Sequence, residues 1–254
     1  MFSIKHGLIG TALLFSLPSF AITNIESERL NNTNEGTTGS ISLSMDGKIG
    51  SSDKVAFGSA VKLIQAYRRD ELIAILSRDY AEVDDAVNTD ESFIHLRYLT
   101  KHNGQWGHEV FAQHEEDKFN VLNKRSLLGA GLRYTLKAAP EQQQANHIGF
   151  GVFHEEEFYQ DSANQDNEKN VRLNIYWAYK NQLSDNSIYT STFYFQPMID
   201  QLGDEKGLWQ NALTINVTST ISLSLTWDVQ HDTNAPDGAD DTETSYKNVL
   251  IYNF

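Results

Sequence analysis

The sequence predicts an all-β chain folded as a transmembrane antiparallel up-and-down β-barrel of about twelve strands, and three observations carry that expectation. First, segments such as VRLNIYWAYK (171–180) and ISLSLTWDV (221–229) alternate apolar and polar side chains with a period of two. Second, beyond residue 21 no apolar run approaches the length of a spanning helix, about 20 residues. Third, the alternation persists through YKNVLIYNF (246–254), where Tyr246, Leu250, Tyr252 and Phe254 are large and apolar or amphipathic. A barrel in hydrocarbon must pair every strand edge, and a closing strand that ends on Phe254 answers that need.

The elements follow in chain order. MFSIKHGLIGTALLFSLPSFA has a positive start at Lys5, an apolar stretch from Leu8 to Leu17 and the small-x-small signal Ser19-Phe20-Ala21. Residues 1–21 are therefore expected to be an export signal, followed by a short periplasmic segment at 22–39 and the barrel at 40–254. Strands are expected at SISLSMDGKI (40–49), KVAFGSAVKLI (54–64), ELIAILSRDYA (71–81), ESFIHLRYLT (91–100), QWGHEVFAQHE (105–115) and RSLLGAGLRYTLK (125–137). They continue at NHIGFGVFHEE (146–156), 171–180, SIYTSTFYFQ (187–196), LWQNALTINV (208–217), 221–229 and 246–254. In 171–180, Val171, Leu173, Ile175, Trp177 and Tyr179 share one side and Arg172, Asn174 and Lys180 the other. A helix would mix Arg172 and Asp228 with the apolar positions, which makes it the poorer account.

The connections alternate in length. With the N-terminus on the inner side, the odd-numbered links face outward, and AEVDDAVNTDE (81–91), EEEFYQDSANQDNEK (155–169), PMIDQLGDEKG (197–207) and HDTNAPDGADDTETS (231–245) are long and acidic. The even-numbered links RRD, KHNG, KAAPEQQQA, NQLSDN and TST are mostly short. Long outer loops and short inner turns are the habit of membrane barrels.

A soluble sandwich or ligand-binding barrel also alternates, with its polar face turned to water. Trp106, Tyr134, Trp177, Tyr179, Trp209, Trp227 and Tyr252 favour the membrane form, because aromatic rings with one polar edge gather where hydrocarbon meets water. By strand parity, Lys62, Arg97, Glu109, Glu115, Arg125, Arg133, Glu155, Arg172, Lys180 and Asp228 are then the candidates to face the lumen. Charges of both signs on one face can pair across it, either plugging the barrel or lining a channel.

Composition narrows the function further. Without residues 1–21, 19 basic residues stand against 34 acidic ones and the formal charge moves from −14 to −15. Such a balance excludes nucleic acid as a direct ligand, since that contact depends on displacing cations with Lys and Arg. The chain has no cysteine, so neither disulfides nor thiolate chemistry enter. HEEDKF and HEEEF, beginning at His114 and His154, set carboxylates beside histidine, but neighbours along a strand point to opposite faces and no motif marks a nucleophile. NAPDGADDTETS is oxygen-rich without the regular spacing of a calcium loop, and divalent ions bridging it to anionic outer-leaflet sugars are the alternative to a plain acidic surface. No catalytic residue, cofactor or metal ligand is assigned, and an outer-membrane lipid or peptide hydrolase is the weakest of the three functional readings.

At GSISLSMDGKIGSSDK and FAQHEEDKFNVLNKRSLLGAGLRYTL (111–136) the chain resembles a domain-of-unknown-function family that includes salt-induced outer-membrane proteins. The features that carry the likeness are the Gly- and Ser-rich strand from Gly39 to Gly47, the acidic and aromatic Glu115, Glu116, Asp117 and Phe119, then Arg125, Gly129, Gly131 and Tyr134. The resemblance implies a Gram-negative outer-membrane barrel surrounded by lipid and lipopolysaccharide, delivered by periplasmic chaperones to the barrel-assembly machinery. Leu250, Tyr252 and Phe254 would be its assembly signal. It brings no substrate or catalytic residue, so the expected role is passive, with limited passage of small or charged solutes. A plugged structural or surface-interaction barrel is the alternative.

Overall fold

The structure is a computed structural model. It describes residues 35–49, 53–102, 105–119, 121–139, 144–160, 166–235 and 240–254. The expected signal at 1–21 and most of the expected periplasmic segment lie outside the described residues.

Twelve strands form: β1 (Gly36–Lys48), β2 (Lys54–Tyr67), β3 (Asp70–Val83), β4 (Ala86–Lys101), β5 (Trp106–Asp117) and β6 (Leu122–Ala139), followed by β7 (Gln144–Tyr159), β8 (Glu168–Ser184), β9 (Ser187–Pro197), β10 (Glu205–Asn216), β11 (Ile221–Asp232) and β12 (Thr242–Asn253). Each pairs antiparallel with its chain neighbours, and β12 returns to β1 to close the barrel. All twelve expected strands are present, most of them longer than the alternation alone suggested. β1 starts at Gly36, so residues 36–39 belong to the sheet and not to a periplasmic segment.

One expected loop is corrected. AEVDDAVNTDE is mostly strand, and β3 passes into β4 through Asp84 and Asp85 alone, whose φ angles are 52° and 63°. Two consecutive left-handed residues make the tight hairpin turn whose twist matches the strands, and aspartate tolerates that conformation better than most. The acidic residues there looked like a loop because their charge was more conspicuous than their alternation. The links after β7, β9 and β11 remain the longest, all at the end that also carries the β1–β2 hairpin. That end is called the loop end below. The other, the turn end, holds the short turns after β2, β8 and β10 and the closing hydrogen bonds between Gly39 and Phe254.

The facing of the side chains is the reverse of a soluble protein's. Leu72, Leu76, Leu96, Val110, Leu128, Leu132 and Phe150 stand exposed around the outside, while Arg125, Arg172, Glu155 and Glu109 are buried within. Hydrocarbon outside and ion pairs inside satisfy both surfaces in a membrane, since an outward charge at mid-depth would cost several kcal/mol. The inner wall also has apolar clusters: Tyr176, Ala178, Tyr194 and Leu208 in one, and Phe111, Leu127 and Phe153 in another.

Glycine makes room for one of these rings. Tyr176 lies directly over Gly149, where a Cβ would meet the ring carbons. Gly149→Ala should therefore push Tyr176 off its hydrogen bond to Glu109 and cost about 1–3 kcal/mol by overpacking, read as a lower urea midpoint. A midpoint equal to that of the unaltered protein would show that the ring can shift freely.

Candidate functional site

The barrel interior is built from two unlike walls. On β6 to β11, long inward side chains meet near the loop end in one buried ion network. Arg125 on β6 donates to Glu155 on β7 at 2.7 Å and 3.0 Å, and its Nε also lies 3.3 Å from Glu157. Arg172 on β8 pairs with the other oxygen of Glu155 and reaches Asp204 at 2.7 Å. Lys206 on β10 pairs with Glu157 and lies 3.8 Å from Asp232 on β11. Four carboxylates thus surround three cations, and the mutual pairing offsets the cost of taking each charge out of bulk water.

A second polar chain runs down the inside of β4 and β5. Glu115 accepts from Gln113 at 3.2 Å, Gln113 meets His95 at 3.2 Å, and the Arg97 Nε lies 3.4 Å from His95. Arg97 then pairs with Glu109 at 3.4 Å, and Tyr176 donates to the same carboxylate at 3.1 Å from across the interior. The Arg97 guanidinium also sits over the Phe111 ring, 4.9 Å from its centre. Strand parity makes this chain possible, because residues 95, 97, 109, 113 and 115 all share the inward face.

The opposite wall is small. Ser40, Ser42 and Ser44 of β1 and Ala56, Gly58 and Ala60 of β2 supply its inward positions, so few atoms reach toward the axis. Against this wall lies a cavity of about 230 Å³, bordered also by Lys62, Ser77, Asp79 and Lys247. Lys247 and Asp79 pair across it at 2.6 Å. The interior therefore carries the ion networks on one side and a cavity on the other.

Of the ten positions assigned to the lumen from sequence, Arg97, Glu109, Glu115, Arg125, Arg133, Glu155, Arg172 and Lys180 are buried, and Lys62 and Asp228 are half-buried. The structure brings Arg125, Glu155 and Arg172 into one network, and Arg97 and Glu109 into another. Lys62 borders the cavity. Sequence reasoning missed Glu157, Asp204, Lys206 and Asp232, which complete the first network. All four lie just outside the expected strand limits, so extending the alternation by two or three residues would have found all but Asp204, which sits in a loop.

The outer surface has two polar margins. Trp106 meets Tyr134 at a tilt with ring centres 4.8 Å apart and Trp177 stacks on Tyr179 at 5.8 Å toward the turn end, while Trp209 and Trp227 meet edge to face at 5.2 Å toward the loop end. Arg78 and Lys118 share Asp90, and Lys169 pairs with Glu156 at 2.8 Å, on the loop side of the apolar belt. His114 and His154 of the HEE stretches point outward with this margin, and the buried Glu115 and Glu155 beside them point inward. The His114 Nδ1 lies 2.8 Å from the Ser126 hydroxyl of the neighbouring strand. Among the described residues no group of three His, Asp or Glu is placed to hold a metal ion.

Known structures share this architecture. The translocator domain of the autotransporter NalP from Neisseria meningitidis is 12% identical over 90% of this chain and 92% of its own, with a TM-score of 0.50. The NanC porin is 11% identical over 85% of this chain and 98% of its own, with a TM-score of 0.51. At such identity the likeness is one of fold. No curated protein matches. The closed wall, its apolar exterior and its charged interior make the protein an outer-membrane β-barrel, and with residues 41–254 matching the family described as "Protein of unknown function, DUF481", the chain belongs to that family.

Proposed function

We propose that the barrel allows limited passage of small solutes along the cavity side of its interior, between the serine-lined wall of β1 and β2 and the ion network opposite. The observation that carries this reading is the asymmetry of the walls. Long charged side chains fill one half, whereas serine, alanine and glycine leave the other open enough for a cavity of about 230 Å³. Lys62, Lys247 and Asp79 border that cavity, with Glu91 opposite Asp79 on the neighbouring strand, so charges of both signs flank the path. The ten inward charges then divide in role: the paired arginines and glutamates hold the wall rigid, and Lys62 faces the passing solute. Lipid and lipopolysaccharide surround the barrel in this reading, and Leu250, Tyr252 and Phe254 present its closing strand to the assembly machinery.

The test is single-channel conductance of the refolded protein in a planar bilayer across a salt gradient. Reproducible steps are expected, and Lys62→Glu should move the reversal potential toward cation preference. Silence from protein shown to be folded would instead leave a plugged barrel whose role lies at its loops. Steps with unchanged selectivity in Lys62→Glu would place the path elsewhere.

A further inference from the structure

Two histidines meet where β4 turns into β5. The hairpin reads KHNGQWGH (101–108), and backbone hydrogen bonds pin it on three sides. The His102 N–H donates to the Trp106 carbonyl, the Lys101 N–H to the Arg69 carbonyl beside β3, and the Thr135 N–H of β6 to the Gln105 carbonyl, each at 2.8 Å. Strand pairing reaches the turn through Thr100 opposite His108 and Lys101 opposite Gly107. That register sets His102 across from Trp106 and diagonally beside His108, and parity turns all three side chains to the outer face. The Nε2 of His102 lies 2.6 Å from the Nδ1 of His108, with ring centres 4.7 Å apart.

The contact differs from those of other histidines on the barrel. His114 and His231 each set a ring nitrogen 2.8 Å from a hydroxyl, of Ser126 and Thr242. At His102 and His108 nitrogen faces nitrogen, both residues are exposed, and neither ring has a carboxylate or hydroxyl partner among the described residues. Charged groups at the same end are engaged elsewhere. Asp70 accepts from Thr100 at 2.8 Å, Lys101 lies 3.6 Å from Glu71, and the Arg68 guanidinium sits over the Tyr67 ring.

A neutral imidazole carries one proton, so one of the two facing nitrogens donates and the other accepts. Moving the donor's proton to the far nitrogen of its own ring, by way of water, leaves two facing lone pairs and changes no net charge. Two nitrogens held at about 2.0–2.1 Å from one ion are about 2.9 Å apart at a right angle and about 3.4 Å apart at a tetrahedral one. Rotation of two exposed rings is enough to open the present 2.6 Å to that separation.

We propose that His102 and His108 form a two-nitrogen chelate for a borderline divalent transition-metal ion, of which Zn²⁺ is the redox-silent example, on the outer face at the turn end. Imidazole suits such ions, whereas Mg²⁺ and Ca²⁺ take oxygen ligands. The described residues place no group of three histidines or carboxylates around an ion, so water completes the coordination and the ion exchanges readily. The pinned hairpin holds both backbones in place before the ion arrives, which lowers the ordering cost of binding. Once bound, the ion ties the two ends of the hairpin together beside the aromatic margin of Trp106 and Tyr134. Both rings lie outside the barrel, so the site does not depend on passage through the lumen.

The experiment titrates Zn²⁺ by calorimetry into the refolded protein in phosphatidylcholine nanodiscs, with Mg²⁺ as the comparison. A saturable Zn²⁺ site is expected, with no binding of Mg²⁺ there. His102→Ala, His108→Ala and the double variant should each weaken the tightest Zn²⁺ site about tenfold, roughly 1.4 kcal/mol, and by the same factor, because one ring alone cannot chelate. His114→Ala should leave that affinity unchanged, and saturating Zn²⁺ should raise the urea midpoint of the unaltered protein but not of the double variant. The positions are exposed, and a compact band before heating shows that each variant has folded. Unchanged affinity in either single variant, or Mg²⁺ binding equal to that of Zn²⁺, would overturn the site. Losses that add from the single variants to the double one would mean two separate one-histidine contacts and would overturn the chelate.

Discussion

Glu155→Ala is expected to destabilise the barrel by about 3–5 kcal/mol, the range for breaking a buried ion pair by removing one partner. The size follows from where Glu155 sits. Its two oxygens divide between Arg125 and Arg172, with Lys206 3.9 Å away, and its side chain is fully buried. Removing it leaves three buried cations with Glu157, Asp204 and Asp232 among their remaining counterions. Glu155→Gln keeps the shape and one acceptor and should cost less, which separates charge from packing. The exposed pair of Lys169 and Glu156 provides the comparison, since breaking it should cost at most about 1 kcal/mol. Urea unfolding in lipid vesicles measures all three. If Glu155→Ala and Glu156→Ala were equally mild, the network would be incidental to stability.

Deletion of Phe254 should lower the amount of folded barrel severalfold, more than any single outward leucine would. Across β1–β12, among the described residues, the ladder covers only Ser40–Leu43 against Leu250–Asn253, so each closing contact carries a large share of that seam. Phe254 gives two of the seam's hydrogen bonds, with Gly39 at 3.0 Å and 3.1 Å, and its ring covers Gly39. A Cβ on Gly39 would lie 2.6 Å from that ring and 2.9 Å from the Lys62 carbonyl, so Gly39→Val should injure the same contact from the opposite strand. Both variants are read by the fraction that migrates as a compact band before heating. Normal yields in both would mean that the seam closes by other contacts, while loss in only the deletion would point to recognition of Phe254 during assembly.

Strand number and facing were legible because a period of two is a local property. Arg172 and Asp228 were placed opposite their apolar neighbours without knowing any partner strand. Strand ends were less legible. At Glu157, Lys206 and Asp232 the apolar face has already given way to loop-like acidic sequence, and only pairing with the next strand keeps these residues in the sheet. The Asp84–Asp85 turn was hidden for a related reason, since its acidity reads as solvent exposure whether two residues or eleven connect the strands.

The meeting of particular charges belongs to the tertiary structure. Arg125, Glu155 and Arg172 come from three strands, and parity says that each points inward without saying at what height. Height is set by inter-strand register, where a shift by two residues keeps every face and changes every partner. The same holds for the seam. An unpaired edge is costly in the membrane, so β12 is driven to meet β1, and the alternation through Tyr252 shows the strand that does it. How far the two run together depends on the accumulated register of all twelve strands, and that sum leaves β1 and β12 joined at the turn end and parted toward the loops.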